Sequence, residues 1–213
     1  SGLARVVIGC GDPDPRTAGQ GIARISAAGI AVTTIDNAAC RASLAGYLTS
    51  RVQGRPHVTL KLALSLDGRI ALPDGSSRWI TGPEARAHGH LERARCDLIV
   101  VGRGTFDADA PRLDVRLPGL AERSPRRALL TRRAAPEEWE SLAAPAAIAG
   151  LNRVDHVLVE GGAGAAAAHP DPGQDLLQAL ALVVVVAVAR AHAPESPSRR
   201  SSRAGRPVPS SAP

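Results

Sequence analysis

Lys61 lies where side chains able to do chemistry are most concentrated in this sequence. It is the one lysine among 26 basic residues, and the residues around it alternate between polar and apolar. In a strand, such alternation places the two kinds of side chain on opposite faces. The apolar face comprises Val58, Leu60, Leu62, Leu64 and Leu66, and the other face Thr59, Lys61, Ala63, Ser65 and Asp67. An ammonium, hydroxyls and a carboxylate on one face predict the floor of a polar site; the solvated face of an amphipathic strand is the alternative.

A second candidate site begins where another apolar strand ends. Residues 157–160 lead directly into the glycine-rich segment 161–164. Glycines let backbone N–H groups approach a phosphate closely, and the start of a following helix adds its positive dipole end. Glu160 stands at the carboxyl end of the strand, the edge at which open α/β sheets bind ligands. The pattern indicates a phosphate-binding turn, with a plain strand-to-helix turn as the alternative.

Polar side chains also follow the apolar strand at residues 98–101. A loop is predicted over residues 102–112, and its charged and hydroxyl groups, with one arginine just beyond, are Arg103, Thr105, Asp107, Asp109, Arg112 and Arg116. These groups are suited to a charged ligand, and a polar surface loop is the alternative. Arg93 lies late on the preceding predicted helix, where an arginine also suits the negative end of the helix dipole.

Strands and helices alternate along the chain, which favours an α/β fold with a largely parallel sheet. Strands are predicted at residues 5–8, 30–33, 58–66, 98–101, 128–130 and 156–160. Helices are predicted at residues 22–28, 37–51, 81–95 and 136–142. Thr81 and Glu84 have the spacing of a capping box and predict the start of the third helix. The glycine and proline at residues 54–56 predict a domain boundary.

Composition excludes several classes of function. Residues 190–213 carry +4 of the net charge of +6 without interleaved aromatic side chains, so we expect no nucleic-acid partner. The longest apolar run, residues 179–189, is shorter than the ~20 residues that span a bilayer, so we expect no membrane partner. Cys10, Cys40 and Cys96 are far apart and fit a reducing cytoplasm. The Ser-, Pro- and Arg-rich tail from about residue 190 is expected to be disordered.

Four motifs together carry a resemblance to a known family. They are HVTLKLALSLDGR at residues 57–69, GSSRWIT at 75–81, ADAPRL at 108–113 and VEGG at 159–162. In this order and spacing they resemble the reductase domain of the bifunctional riboflavin-biosynthesis deaminase/reductase. The resemblance covers residues 56–168 and implies a dihydrofolate-reductase-like fold. It also implies NADPH-dependent reduction of a phosphorylated pyrimidine, 5-amino-6-(5-phosphoribosylamino)uracil, to its ribityl product.

The resemblance assigns roles to individual residues. The expected catalytic residues are Lys61, Asp109 and Glu160. The expected NADPH-binding residues are Ala63, Trp79, Thr105, Asp109, Gly162, Ala163 and Gly164. The expected substrate-binding residues are Ser77, Arg93, Leu113, Arg116 and Glu160, with the arginines suited to the substrate's phosphate. The family's loop usually reads Asp-Asp-Pro, whereas this chain has Asp109-Ala110-Pro111.

The flanking segments add further expectations. Residues 1–53 resemble the last third of the family's deaminase domain without its zinc motif, so we expect no bound metal and no deamination. Residues 169–213 do not match the family and resemble a frame-altered ending, within which residues 176–189 are expected to pack on the sheet as a helix or a substitute strand. The alternative interpretation is therefore a truncated, catalytically compromised fragment that retains part of the pocket. A homodimer is compatible with either interpretation.

Overall fold

Two parallel sheets organise the residues that the computed structural model describes, which are 2–64, 68–70, 81–161 and, for the backbone alone, 180–186. The smaller sheet pairs β1 (Arg5–Ile8) with β2 (Ala31–Thr34), and α1 (Gln20–Ala27) connects them. Two further helices, α2 (Ala38–Ser43) and α3 (Ala45–Gln53), lead from this unit to the main sheet. The predicted boundary at residues 54–56 falls between α3 and the first strand of that sheet.

The main sheet has six strands in the described part of the chain. They are β3 (His57–Leu64), β4 (Leu98–Gly102), β5 (Arg126–Leu130), β6 (Glu140–Leu142), β7 (His156–Glu160) and β8 (Leu180–Val186). Their spatial order is β6-β5-β4-β7-β3-β8, and every neighbouring pair is parallel. The connections include α4 (Pro83–Ala94), α5 (Arg103–Asp109) and short 3-10 helices at Ala121–Arg123 and Pro145–Gly150. The predicted α/β fold with a mostly parallel sheet is confirmed.

Both faces of the main sheet are covered, which explains why its central strands are almost wholly apolar. On one face, strand residues pack with side chains from the loops and the second 3-10 helix: Val58, Leu98, Val100, Ala128, Leu142, Ile148, Val154 and Val157. On the other face the core is formed by Cys96, Ile99, Val101, Leu113, Leu129 and Leu158, against which Phe106 of α5 packs. This second face continues along β3 and β7 into polar residues.

The strand predicted from residue 58 is confirmed as β3, which the structure describes from His57 to Leu64. Val58 and Leu60 are buried, while Lys61 on the opposite face is half-buried. Thr59 shares the Lys61 face and is also buried, and its hydroxyl lies within hydrogen-bond distance, 2.7 Å, of Nε2 of His156 on β7. The polar face of β3 is therefore covered by protein over this length, and it is not the solvated face of a surface strand.

The helix after residue 80 begins differently from the prediction. Its N-cap is Gly82, no side chain caps it, and Pro83 is the first helical residue. The capping box predicted from Thr81 and Glu84 is therefore wrong. Proline has its φ fixed near the helical value and lacks an N–H that the first turn would leave unpaired, so it sets the start of the helix here.

Three other local predictions are also wrong. The predicted loop 102–112 contains α5, which is capped at its C-terminus by Ala110 with a φ of 39°. The helix predicted at residues 136–142 is instead a turn followed by β6, because Glu140–Leu142 completes the edge of β5 by parallel pairing. The single helix predicted at 37–51 is broken at Leu44 into α2 and α3. Of the three, only the strand at Glu140–Leu142 has a partner in the described part of the chain that accounts for the difference.

For residues 176–189 the sequence allowed either a helix or a substitute strand. Residues 180–186 of this segment form the strand β8, which pairs with β3. The expectations for residues 65–67, 71–80, 162–179 and 187–213, including the disordered tail, lie outside the described residues.

Candidate functional site

Lys61 and Glu160 meet because two neighbouring parallel strands are in register. Their Cα atoms are direct partners in the pairing of β3 with β7, so the two side chains leave the same face of the sheet. Nζ of Lys61 lies 3.6 Å from Oε2 of Glu160. Glu160 is the last residue of β7, whereas β3 continues to Leu64, so the pair lies at the carboxyl edge of the sheet. Ligands of open parallel sheets bind at this edge.

Arg93 adds a second cation from above the sheet. Helix α4 crosses this face near Lys61, close enough that a Cβ on Gly89 would lie 3.9 Å from Cε of Lys61. From the last turn of α4, Arg93 donates to both carboxylate oxygens of Glu160, from Nε at 2.7 Å and from Nη2 at 2.8 Å. The side chains of Arg93 and Glu160 are only 14% and 9% exposed. Arg93 and Glu160 thus form a buried, bidentate ion pair.

The two cations determine the ionisation of the carboxylate. Burial alone would raise the pKa of Glu160, but the hydrogen bonds from Arg93 and the positive charge of Lys61 together outweigh burial and hold this pKa below its usual value. Glu160 is therefore an anion at neutral pH and accepts hydrogen bonds. The ammonium of Lys61 is the proton donor of the cluster. Two cations facing one carboxylate leave a net positive charge at the edge of the sheet, which suits an anionic ligand.

The segment of residues 112–116 adjoins this cluster through Arg93. Nη1 of Arg93 donates to the backbone carbonyl of Asp114 at 3.1 Å. Leu113 is buried and has a φ of 55°, a backbone conformation that residues other than glycine rarely adopt. Arg116 is more than half exposed, and its Nε lies 3.5 Å from Oδ1 of Asp114. The segment thus presents an accessible guanidinium close to the buried pair.

The end of β4 brings in the expected cofactor residues. Val101 is the Cα partner of Glu160, and β4 passes directly into α5. Thr105 is half-buried on α5, and Asp109 is exposed near the end of that helix. Ala63 follows Lys61 by two residues on the same face of β3. The carboxyl ends of β3, β4 and β7 thus lie at one edge of the sheet, and the cofactor role of these residues stays a prediction.

The expected site residues thus fall into two groups. The structure brings Lys61, Arg93 and Glu160 into contact, and it places Leu113 and Arg116 beside them. Arg93, which was expected to bind the substrate's phosphate, uses two of its nitrogen atoms for Glu160. Ser77, Trp79, Gly162, Ala163 and Gly164 lie outside the described residues, and their roles remain predictions.

Sequence reasoning missed two residues of this region. His90 lies three residues before Arg93 on α4, and its Nδ1 is 3.1 Å from the carbonyl oxygen of Asp114. Asp114 also bridges Arg112, at 2.7 Å, and Arg116, at 3.5 Å. The i, i+3 spacing of His90 and Arg93 could have indicated a shared helix face, but nothing in the sequence showed that this face contacts the backbone of Asp114.

Cys96 follows the end of α4 and is buried, and its thiol donates to the backbone carbonyl of Arg93 at 3.3 Å. Burial, followed by the charge of Glu160, raises the pKa of its thiol to about 12. Among the described residues no three His, Cys, Asp or Glu side chains are grouped so that they could hold a metal ion. Nor does any helix in the described ranges have the length and apolar character needed to cross a membrane.

The chain is similar to known proteins in family, sequence and structure. The model of the RibD C-terminal domain family matches residues 56–173. The riboflavin biosynthesis protein RibD of Chlamydia trachomatis is 43% identical over 136 residues, which are 62% of this chain and 36% of the relative. RibD of Escherichia coli is 40% identical over 125 residues, which are 58% of this chain and 34% of the relative.

Two solved structures are also similar. One, from Thermotoga maritima, is described as a diaminohydroxyphosphoribosylaminopyrimidine deaminase/5-amino-6-(5-phosphoribosylamino)uracil reductase. It matches with a TM-score of 0.66 and 29% identity, covering 77% of this chain and 55% of its own. Acinetobacter baumannii RibD, in one crystal form, matches with a TM-score of 0.62 and 31% identity. The match covers 75% of this chain and 55% of the Acinetobacter chain.

The match covers only part of these proteins, since the chain spans about a third of the length of the curated relatives. It includes β3, α4, β4 and β7, and hence the Lys61–Glu160–Arg93 cluster. More than half of this chain is matched by the family model, and we conclude that it belongs to the RibD C-terminal domain family.

Proposed function

We propose that this chain reduces 5-amino-6-(5-phosphoribosylamino)uracil to the corresponding ribitylamino compound, with NADPH as the hydride donor. The observation that carries the proposal is the Lys61–Glu160–Arg93 cluster at the carboxyl edge of β3 and β7. The family membership and the name of the Thermotoga relative supply the substrate. The geometry supplies a reason why this edge of the sheet suits an anionic ligand and a proton transfer.

The described residues fit the cofactor. The cluster keeps a net positive charge, and Gly161, directly after β7, has a φ of 155° that a residue with a side chain rarely adopts. The chain can therefore turn away from the sheet edge with its backbone exposed to a ligand. Ala63, Thr105 and Asp109 would hold NADPH from β3 and α5, together with Trp79 and residues 162–164. When bound, NADPH supplies a hydride from its nicotinamide ring.

The substrate's chemistry requires a proton from the protein. In the ribosylamino group, C1′ is bonded both to nitrogen and to the ring oxygen. Reduction breaks the bond from C1′ to the ring oxygen, adds a hydride to C1′ and adds a proton to the departing oxygen. Nζ of Lys61 carries a transferable proton, and Glu160, held anionic by Arg93, orients that ammonium. Lys61 is accordingly the proposed general acid, and Glu160 and Arg93 position it.

The substrate's phosphate requires a second contact. Arg116 fits this role because its guanidinium is accessible, while that of Arg93 is engaged by Glu160. An arginine can donate two parallel hydrogen bonds to a phosphate. Its existing partner is the carboxylate of Asp114, at 3.5 Å, which a phosphate would compete with or displace. We assign phosphate binding chiefly to Arg116, while Arg93 holds Glu160.

The proposal is tested by turnover of purified protein. NADPH absorbance is followed after addition of the phosphoribosylaminouracil, and mass spectrometry checks that the product has gained two hydrogen atoms. Lys61→Ala is expected to lower turnover at least about tenfold, equivalent to ~1.4 kcal/mol in the barrier. Arg24→Ala removes an exposed cation from α1, which connects the strands of the smaller sheet, and is the matched control.

Three outcomes separate the alternatives. Turnover that is lost with Lys61→Ala and kept with Arg24→Ala supports the proposal. Turnover that is unchanged by Lys61→Ala removes Lys61 from the mechanism. A folded protein that binds NADPH but does not turn over supports the interpretation of a catalytically compromised fragment.

A further inference from the structure

His90 is placed to act on the segment of residues 112–116 through backbone atoms alone. Its Nδ1 lies 3.1 Å from the carbonyl oxygen of Asp114, and the backbone N–H of Arg116 donates to the same Nδ1 at 3.3 Å. Arg93, one turn further along α4, donates to the same Asp114 carbonyl at 3.1 Å. Two side chains on one face of α4 therefore attach this segment to the helix.

The two contacts of Nδ1 are incompatible with one protonation state. A neutral imidazole nitrogen either donates or accepts, so Nδ1 cannot serve the Asp114 carbonyl and the Arg116 N–H at once. The Asp114 carbonyl already has a donor in Arg93, whereas His90 is the acceptor that the described residues provide for the Arg116 N–H. With the His90 proton on Nε2, both backbone groups have a partner: the Asp114 carbonyl accepts from Arg93, and the Arg116 N–H donates to Nδ1.

The segment needs such an anchor because its own conformation is unfavourable. Leu113 has a φ of 55° while its side chain is buried, and this left-handed conformation is strained for a residue with a Cβ. Oδ1 of Asp114 is buried without a hydrogen bond in the described region, although Arg116 lies within ion-pair distance. Contacts from outside the segment are required to hold it in this form.

Burial and the neighbouring charges keep His90 uncharged. Burial first, then the positive charges of Arg93 and Arg116, lower the pKa of His90, and they outweigh the opposing effect of Asp114. At neutral pH the ring is therefore uncharged. Protonation would place a donor on Nδ1 facing the Arg116 N–H and would add a third positive charge beside Arg93 and Arg116.

We infer that His90 is a positioning residue: by accepting the Arg116 N–H, it fixes the backbone from which Arg116 reaches the substrate's phosphate. The inference rests on the proposed function for the identity of that phosphate. Removal of His90 should affect binding of the phosphorylated substrate and leave the Lys61–Glu160–Arg93 cluster intact. It should therefore change KM more than kcat.

The kinetic test compares three variants on the whole chain. His90→Ala should raise KM for the phosphorylated substrate about fivefold, the effect of one lost hydrogen bond, with kcat almost unchanged. His90→Asn should restore KM, because its side-chain oxygen can take the place of Nδ1 as acceptor. His88→Ala is the control, since His88 lies on the same helix, is about half exposed and pairs with Glu92.

Two further measurements make the result specific. With the dephosphorylated substrate, His90→Ala and the unmodified chain should have the same KM. As pH falls through the pKa of His90, KM should rise in the unmodified chain beyond any rise seen in His90→Asn, which cannot titrate. An equal KM effect with and without the phosphate, or no KM effect of His90→Ala, would overturn the inference.

Hydrogen exchange separates this inference from the proposed function. The Arg116 amide should exchange faster in His90→Ala than in the unmodified chain or in His90→Asn. This readout needs no substrate, so it decides the anchoring even if the unmodified chain does not turn over. An Arg116 amide that exchanges equally in all three proteins would show that His90 does not hold the segment.

Discussion

The buried ion pair between Arg93 and Glu160 should dominate the stability of the site, and a double-mutant cycle can measure it. Removing one member of a buried pair leaves an uncompensated charge and costs about 3–5 kcal/mol. Glu160→Ala should fall in this range, because Arg93 is only 14% exposed. Arg93→Ala should cost about 1 kcal/mol less, since Lys61 remains 3.6 Å from the carboxylate.

The chain contains a matched control pair on its surface. Nη2 of Arg127 lies 2.7 Å from Oε2 of Glu138, the same separation as the shorter Arg93–Glu160 contact, but these side chains are 32% and 79% exposed. Exposed pairs contribute about 0–1 kcal/mol because water screens them. Arg127 also lies over the ring of Trp139. A cycle isolates the pairwise contribution from that second contact.

Urea unfolding of each single and double alanine variant gives the required free energies of unfolding. The coupling energy should be about 2–4 kcal/mol for the buried pair and below about 1 kcal/mol for the surface pair. In thermal unfolding, each kcal/mol should appear as a shift of roughly 2–4 °C for a chain of this size. Equal coupling energies for the two pairs would refute the argument, because burial is the property that distinguishes them.

The same pair predicts a pH dependence. The pKa of Glu160 is lower in the folded protein than its ordinary value of 4.5. The folded state therefore binds this proton less tightly, so the stabilisation is fully present above that ordinary value and is lost as pH falls through the lower folded pKa. In Glu160→Gln this part of the acid sensitivity should disappear. An unchanged acid transition in Glu160→Gln would mean that other carboxylates determine it.

Three further predictions concern the cofactor, a thiol and a helix start. Fluorescence titration should give tighter binding of NADPH than of NADH; equal affinities with folded protein would contradict the family-based expectation. Cys96 should resist alkylation at pH 8 while the half-buried Cys10 and Cys40 react, because burial raises the Cys96 thiol pKa to about 12; fast modification of all three would contradict this. Asn37→Ala should lower the free energy of unfolding by ~1 kcal/mol, because the Asn37 side chain accepts the first free N–H groups of α2; an unchanged urea midpoint would show that α2 frays without cost.

Sequence periodicity was sufficient where both partners of a contact follow from local patterns. The alternation in β3 predicted that Leu60 would be buried and Lys61 would face the site. The position of Glu160 before a glycine-rich turn predicted the edge of the sheet at which it lies. Side chains alternate strictly along a strand, so one buried residue determines the orientation of its neighbours.

Short elements with weak patterns were decided by their neighbours. Residues 136–142 have a helical composition, yet Glu140–Leu142 is a strand because the exposed edge of β5 offers it backbone hydrogen bonds. Pro83 moved the start of α4 away from Thr81, although both starts were compatible with the sequence. A local propensity of a few tenths of a kcal/mol per residue is easily outweighed by such contacts.

The contacts among Lys61, Arg93 and Glu160 were decided by tertiary structure alone. From the sequence, Arg93 could bind a phosphate, complement the helix dipole or pair with any carboxylate. Packing of α4 over β7 put it against Glu160, 67 residues away, and put His90 against the backbone of Arg116. The sequence determined which residue types were present and which face of each strand they occupied. The partners depended on how helix and sheet pack, because a buried charge requires a counter-charge within a few ångströms and local sequence does not encode that distance.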